Sequence, residues 1–269
     1  NILIAVKYHG IYRSTNSGTS FTRVYPSAAP LSAGGGEMKL AFAPNNSTVF
    51  AVIDGTASGG RVIRSTDNGA TWSGVDTATI NVNTLEHLAI SPSHTTDSTI
   101  FVITNSGGLF RSTDNGATWS AVTVTVSSTT YTNFVSLALS PSYNQAVAND
   151  CSDAATCTLY LGTASGLVLR SVNKGTAWSQ VFSGSNVNVD ALAVSPAAQD
   201  TTVIAGPQSN PIAAADDGST FATSATYMAG LTDSTGYGDV YQTISTKDFL
   251  LHHSYFTNQS LGMATNDGV

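Results

Sequence analysis

Charge is what this sequence has least of. Only 10% of its 269 residues are Asp, Glu, Lys or Arg, whereas about 25% is usual in a soluble domain. The net charge is −7, with 17 acidic residues against 10 basic ones, and it works against binding to a phosphate backbone. We therefore expect no nucleic-acid partner. Long apolar runs are missing as well. The longest runs in the sequence are far shorter than the roughly 20 residues that span a bilayer, so no transmembrane helix is predicted.

Cysteine is almost absent as well. The two that occur, Cys151 and Cys157, are separated by five residues in a polar stretch. This favours a small local disulfide in an exported protein, because two thiols without nearby histidines make a poor zinc site. Two free thiols are the alternative. The sequence also lacks a nucleophile elbow, a phosphate-binding loop and a cofactor fingerprint, so no cofactor is predicted.

What the sequence does contain is a repeat. Segments 64–73 and 111–120 both read RSTDNGATWS, and degenerate copies begin at Arg13, Arg170, Ala214 and Ala264. A second segment, of the pattern LAxSP, recurs in phase with the first and ends at Pro44, Pro92, Pro141 and Pro196, with the weaker TIST ending at Thr246. The aspartate or asparagine of the first segment returns every 43 to 59 residues, at Asn16, Asp67, Asp114, Asn173, Asp216 and Asn266.

Each repeat predicts four short strands: LAxSP, an apolar strand such as 99–103, a third such as 108–111, and a fourth that opens at the tryptophan. A period near 50 with four strands is typical of a β-propeller blade. We therefore predict an all-β fold of four-stranded antiparallel blades, forming one domain over residues 1–269. The predicted blade units are about 1–24, 36–76, 84–123, 133–183, 188–224 and 239–269.

The S-x-D-x-G-x-T-W pattern at 65–72 and 112–119 resembles the Asp box, or BNR repeat. Asp boxes occur in sialidases, xyloglucanase-type glycoside hydrolases, sortilin-type receptors and a photosystem assembly factor. The resemblance implies that the box lies opposite any active site, so its aspartates are structural. Physically, the glycine supplies a positive φ, the aspartate or asparagine accepts backbone N–H groups, and the tryptophan packs beside the hairpin. The tryptophans are Trp72, Trp119 and Trp178.

Arginine usage weighs against two of these families. Four of the six arginines open the repeated segments, which leaves only Arg23 and Arg61. Two are too few for the three-arginine carboxylate clamp of sialidases. A photosystem assembly factor is disfavoured because its recognition face is rich in arginine.

Four acidic residues recur just before the LAxSP leucine or its equivalent: Glu37, Glu86, Asp190 and Asp239. If Asp boxes mark the bottom of the propeller, these carboxylates ring the upper mouth of its channel. Such a ring binds a cation, orients sugar hydroxyls, or supplies an acid and base pair for glycoside cleavage. The alternative is that the carboxylates only solvate strand ends. Tyr131 and Tyr237 lie in the same predicted loops and offer rings to a sugar or a protein.

The repeated segments look like those of Asp-box proteins on the surface of filamentous and other environmental bacteria. That resemblance implies a non-catalytic extracellular propeller that binds protein neighbours or extracellular polysaccharide in a surface assembly. The alternative is a glycoside hydrolase of the xyloglucanase type, with Glu86, Asp190 and Asp239 as its acids. Because residue 1 is Asn and the first unit lacks its innermost strand, we expect an excerpt of a longer chain with six to eight blades.

Overall fold

The structure is a computed structural model, and it divides the chain into two compact units. The first unit comprises residues 1–122 with 144–146, and the second comprises 123–143 with 147–269. The residues described are 1–26, 38–56, 59–75, 80, 85–104, 108–146, 151, 157–184, 188–194, 203–207, 212–214, 221–223, 246–251 and 261–265. For 54–56, 59–60, 86 and everything after 194, only the backbone is described. The predicted single domain over 1–269 stays a prediction.

The first unit contains three antiparallel sheets, in each of which strands adjacent in sequence pair with one another. The first sheet has three strands: β1 (Ile2–Val6), β2 (Gly10–Ser14) and β3 (Thr22–Tyr25). The second has four: β4 (Met38–Phe42), β5 (Val49–Thr56), β6 (Gly59–Ser65) and β7 (Ser73–Gly74). The third also has four: β8 (Leu85–Ile90), β9 (Ile100–Thr104), β10 (Leu109–Ser112) and β11 (Ser120–Val122).

The second unit begins with a two-stranded ribbon, β12 (Val124–Val126) and β13 (Thr129–Tyr131). Next comes a four-stranded sheet of β14 (Phe134–Leu139), β15 (Leu159–Thr163), β16 (Leu167–Ser171) and β17 (Ser179–Ser183). Another contains β18 (Val189–Val194), β19 (Val203–Pro207), β20 (Ile212–Ala214) and β21 (Phe221–Thr223). Two paired strands follow, β22 (Thr246–Leu251) and β23 (Leu261–Thr265). The predicted all-β architecture of four-stranded antiparallel sheets is confirmed.

Apolar side chains on both faces of the strands build the core between neighbouring sheets. In the first unit, Phe50 and Val52 of β5 pack against Ile100 and Val102 of β9. On its opposite face, β5 presents Ala51 to the first sheet. Since successive residues of a strand point to opposite faces, a strand that is covered on both sides reads as a continuous apolar run. This explains the VFAVI and IFVIT segments of the sequence.

One short helix interrupts the otherwise all-strand pattern of the described residues. The four residues of α1 (His94–Asp97) lie between β8 and β9, where a sheet-only repeat was expected. Asp97 holds this turn by accepting hydrogen bonds from the Ser91 hydroxyl at 2.6 Å and the Thr99 amide at 2.9 Å. Among the described residues, no helix has the length and apolar character needed to cross a membrane.

The last predicted repeat begins differently in the structure. The sequence places the TIST equivalent of LAxSP so that it ends at Thr246, but β22 begins at this residue. β22 packs against β18 and pairs with β23. It therefore occupies the place of a first strand, which β14 and β18 hold in their own sheets.

Candidate functional site

The repeated RSTDNG segments and their degenerate copies form hairpin loops between the last two strands of their sheets. We call residues 14–20, 65–71, 112–118 and 171–177 the Ser-Asx loops. In the loop at 65–71, the Ser65 hydroxyl donates to Asp67 Oδ1 at 2.7 Å and accepts the Gly69 amide at 2.8 Å. The other three loops repeat these two contacts with distances of 2.7 to 2.9 Å. Gly69 has φ +78°, the left-handed conformation that glycine adopts without strain.

Two of the loops contain a carboxylate whose hydrogen bonds are local. Asp67 accepts the Thr71 amide at 2.9 Å and the Thr71 hydroxyl at 2.6 Å. The Thr71 hydroxyl is the largest of several hydrogen-bond contributions that lower the pKa of Asp67 to about 2. At Asp114, burial raises the pKa, but hydrogen bonds from Thr118 outweigh it, so that the pKa is lowered as well. Carboxylates held ionised in this way are unsuited to be general acids near neutral pH.

In the other two described loops, an asparagine side chain takes the place of the carboxylate. Asn16 Oδ1 accepts the Ser20 amide at 3.0 Å, and Asn173 Oδ1 accepts the Ala177 amide at 2.7 Å. The Asn16 amide also donates to the Ser20 hydroxyl at 2.9 Å. The loop geometry therefore needs an oxygen acceptor rather than a negative charge. Asp216 and Asn266, the remaining members of the repeat, lie outside the described residues.

The residue after the Asx links neighbouring sheets of the first unit. The carbonyl of Asn68 accepts Arg13 Nε at 2.9 Å, and that of Asn115 accepts Arg64 Nη1 at 3.0 Å. In both cases the arginine is the second-to-last residue of the strand that enters the Ser-Asx loop of the preceding sheet. Arg111 instead donates to the side-chain oxygen of Gln145 at 3.4 Å. Two of the arginines that open the repeat, Arg13 and Arg64, thus join neighbouring sheets.

The three tryptophans pack beside these loops but do not make the same hydrogen bond. Trp72 Nε1 donates to the Gly69 carbonyl and Trp178 Nε1 to the Gly175 carbonyl, both at 3.1 Å within their own loops. Trp119 Nε1 donates to the Val75 carbonyl of the preceding sheet at 3.0 Å. The sequence around Trp72 and Trp119 is identical, so this difference has a tertiary cause.

Two of the four predicted acidic residues lie at β-bulges. The pairing of β8 with β9 skips Glu86, and that of β18 with β19 skips Asp190. The same position is Val135 in β14 and Lys247 in β22. A bulge leaves one residue outside the ladder and redirects its side chain. Asp190 is half-buried. Glu86 belongs to the first unit and Asp190 to the second.

The remaining predicted site residues are only partly within the described residues. Tyr131 ends β13 and is half-buried. At the tip of this ribbon, Ser127 and Ser128 both have positive φ. Glu37, Tyr237 and Asp239 lie outside the described residues. In the part of the chain that is described, no three His, Cys, Asp or Glu residues are grouped to hold a metal ion. Cys151 and Cys157 form a disulfide in the connection between β14 and β15.

The first sheet has an exposed apolar face that the sequence does not reveal. Ile2 and Ile4 of β1 are 42% and 39% exposed. Three other sheets have residue pairs at the positions equivalent to Ile2 and Ile4 in the strand register, and all three pairs are fully buried. They are Val49 and Ala51, Ile100 and Val102, and Leu159 and Leu161. All four strands have similar apolar sequences, so no sequence signal distinguishes β1.

Comparison with known proteins identifies the fold. No protein-family model and no curated protein sequence matches the chain. Among solved structures, it is similar to the GH74 xyloglucanase of Xanthomonas campestris (TM-score 0.57, 14% identity) and a GH74 enzyme of Niastella koreensis (TM-score 0.60, 19% identity). These matches cover 81% and 80% of this chain, which spans only 35% and 34% of the two enzymes.

A third match, with TM-score 0.59 and 13% identity, is the extracellular domain of a protein described as a one-component system in B. thetaiotaomicron. It covers 99% of this chain and 31% of that one. At these identities the likeness shows the fold alone. The fold is that of a β-propeller.

Proposed function

We propose that this chain is a non-catalytic extracellular β-propeller module that binds protein neighbours in a cell-surface assembly. The observation that carries the proposal is the exposed apolar face of β1 at Ile2 and Ile4. Exposed apolar patches mark interaction sites in soluble proteins. The low charge of the chain, 10% of its residues, suits association through neutral surfaces.

We further propose that the Ser-Asx loops are Asp boxes. Their serine, Asx and glycine share one hydrogen-bond pattern, and their arginines tie one sheet to the next. Asp67 and Asp114, the most conspicuous acidic residues of the repeat, are fully used in holding their own loops. This use supports a structural rather than a catalytic role for the repeat.

The partner that suits the β1 face is a second copy of this chain. In the first unit, the face of β5 that carries Ala51 is covered by Leu3 and Ile11 of the preceding sheet. Ile4 occupies the position in β1 that Ala51 occupies in β5. The face of β1 that carries Ile4 is therefore suited to pack against another sheet of the same repeat. A second copy supplies such a sheet, and head-to-tail contact through different faces builds a repeating assembly.

Sedimentation velocity over a range of concentrations tests this contact. The wild-type chain is expected to associate reversibly. Ile2→Glu combined with Ile4→Glu is expected to abolish association, because it places charge on the face that the second copy would cover. Phe42→Glu is the matched control, since Phe42 of β4 is 49% exposed. It is expected to associate like the wild type. A wild-type chain that stays monomeric at every concentration contradicts the proposed partner.

A glycoside hydrolase of the xyloglucanase type is the second candidate. The placement of Glu86 and Asp190 at equivalent β-bulges favours it, because bulges redirect side chains at active sites. A binding site for extracellular polysaccharide or a cation is an alternative that rests on the sequence pattern of the predicted residues Glu37, Glu86, Asp190, Asp239, Tyr131 and Tyr237. Hydrolysis of a panel of β-glucans that is lost in Glu86→Gln, Asp190→Asn or Asp239→Asn would establish the enzyme. Absence of hydrolysis by the wild type would exclude it for those substrates.

A further inference from the structure

The connection between β8 and β9 encloses a histidine without a hydrogen-bond partner. His94 is only 4% exposed, and neither Nδ1 nor Nε2 has a partner. Its ring meets the Phe50 ring edge-on, with centroids 5.5 Å apart and planes at 75°. A neutral imidazole is tolerated in such surroundings. A protonated one has two N–H donors that find no acceptor there, and a buried unpaired cation is strongly unfavourable.

The charged groups facing His94 do not accommodate a proton. Burial is the largest cause that lowers its pKa, and Arg64 on β6 lowers it further, whereas Asp97 of its own turn raises it. The Asp97 carboxylate already accepts three hydrogen bonds. Oδ2 accepts hydrogen bonds from the Ser91 hydroxyl and the Gln145 backbone amide, and Oδ1 accepts one from the Thr99 backbone amide. Asp97 therefore cannot turn towards His94 without giving up donors that hold the connection.

The repeat provides an internal reference for this position. Ser91-Pro92-Ser93-His94 corresponds to Ser140-Pro141-Ser142-Tyr143 in the next unit of the sequence. Both turns close with the same bond, from the amide of the fourth residue to the carbonyl of the first, at 3.0 and 2.9 Å. Tyr143 is fully buried. The turn thus holds an aromatic ring in either case, but only His94 can gain a proton near neutral pH.

We propose that residues 91–99 form an acid-sensitive latch, in which protonation of His94 opens the turn and releases Gln145 from Asp97. The proton comes from solvent and binds to a ring nitrogen. The imidazolium then needs water, which it reaches only if α1 moves outward. Asp97 lies on α1, so its 2.9 Å contact with the Gln145 amide breaks in the same movement. The Gln145 side chain also accepts a hydrogen bond from Arg111, and this contact does not involve Asp97.

The direction of the effect follows from linkage. A histidine whose pKa is lowered in the closed state keeps that state favoured above about pH 6.5, the ordinary value. The advantage is lost as the pH falls below that value, because only the open state binds the proton. The latch is therefore closed at neutral pH and open in acid.

Hydrogen exchange at the Gln145 amide tests the latch. The intrinsic rate at pH 7.5 or pH 5.0, divided by the observed exchange rate at the same pH, gives the protection factor of this amide in the 269-residue chain. In the wild type, protection is expected to be lower at pH 5.0 than at pH 7.5, because only the open state binds the proton. In His94→Tyr, which copies the residue at Tyr143, protection is expected to be the same at both values.

Two further measurements separate the effect of His94 from other effects of acid. His87→Ser removes a different enclosed histidine and is expected to leave the response at Gln145 unchanged. If His94→Tyr does not fold, an NMR titration of the His94 ring in the wild type replaces it, and the ring must titrate over the pH range in which Gln145 loses protection. Equal protection of wild-type Gln145 at both pH values, acid loss that persists in His94→Tyr, or a mismatch between the two titrations overturns the proposal.

Discussion

At the scale of single residues, the conspicuous aspartates of the repeat act on their own loops. Each carboxylate oxygen of Asp67 accepts a hydrogen bond from Thr71, and Asp114 has the same arrangement with Thr118. Such contacts span four residues, so they are readable from a ten-residue segment of sequence. The asparagines at positions 16 and 173 show which part of the arrangement is indispensable: the acceptor oxygen that receives the amide four residues later.

Replacing Asp67 is expected to destabilise the first unit. Asp67→Ala leaves the Ser65 hydroxyl and the Thr71 amide without their acceptor and is expected to cost about 1–3 kcal/mol in free energy of unfolding. Asp67→Asn keeps the Oδ1 acceptor, as Asn16 and Asn173 do, and is expected to cost less. Urea denaturation at pH 7 measures both. Equal stabilities for the alanine and asparagine variants would show that the acceptor does not matter.

The same residue has a pH signature. Because the folded-state pKa of Asp67 is lowered from 3.8 to about 2, its contribution is present above pH 3.8 and is lost as the pH falls towards 2. The stability difference between the wild type and Asp67→Asn should therefore shrink over that range.

At the scale of strands and sheets, the strand pairing repeats from one sheet to the next, but chemically different residues occupy the equivalent positions. The first strands of three sheets bulge at Glu86, Val135 and Asp190. The sequence indicates that acidic residues recur before LAxSP, and Val135 marks the unit without one. It does not indicate a bulge, since a bulge depends on how the next strand pairs. The consequence is that the backbone leaves the ladder at one defined residue of each strand.

The arginine contacts between sheets predict a measurable coupling. Arg13→Leu removes the 2.9 Å bond from Nε to the Asn68 carbonyl and is expected to lower the free energy of unfolding by about 0.5–1.5 kcal/mol. Thermal and urea denaturation measure the loss. Arg13→Lys retains the charge but not the Nε donor and is expected to recover little of it. Full recovery with lysine would mean that charge, rather than this donor geometry, stabilises the contact.

At the scale of the whole molecule, enclosed histidines are expected to weaken the fold in acid. His87 of β8 has an enclosed Nδ1 without a hydrogen-bond partner. Burial, with a smaller effect of Lys39, lowers its pKa from 6.5 to about 3. The unfolded chain therefore takes up a proton at His87 between these pH values while the folded chain does not, and the stability falls across that window.

His87→Ser tests this contribution. Serine is already present at the equivalent position of β14, as Ser136, where its hydroxyl donates to the Val189 carbonyl at 2.5 Å. We expect the urea midpoint of the wild type to fall between pH 6.5 and pH 3 more steeply than that of the variant. Parallel curves for the two proteins would show that His87 does not titrate differently on unfolding.

Sequence alone was sufficient for the four-stranded antiparallel architecture and for the positions of the four described Ser-Asx loops. The reason is that strand alternation and Ser-Asx hydrogen bonding are encoded within about ten neighbouring residues. Trp72 and Trp119 show the limit of that encoding. Identical surrounding residues give one tryptophan a partner in its own loop and the other a partner in the preceding sheet.

Tertiary structure alone decided which faces are covered and which polar groups lack partners. Ile2 and Ile4 resemble their buried counterparts in sequence but are exposed, because burial depends on a neighbouring sheet rather than on the strand itself. The surroundings of His94 include the Phe50 ring and the charge of Arg64, which both lie far away along the chain. Scarcity of charge was evident from composition. Which of the few titratable groups are enclosed, as His94 is, was decided by the fold.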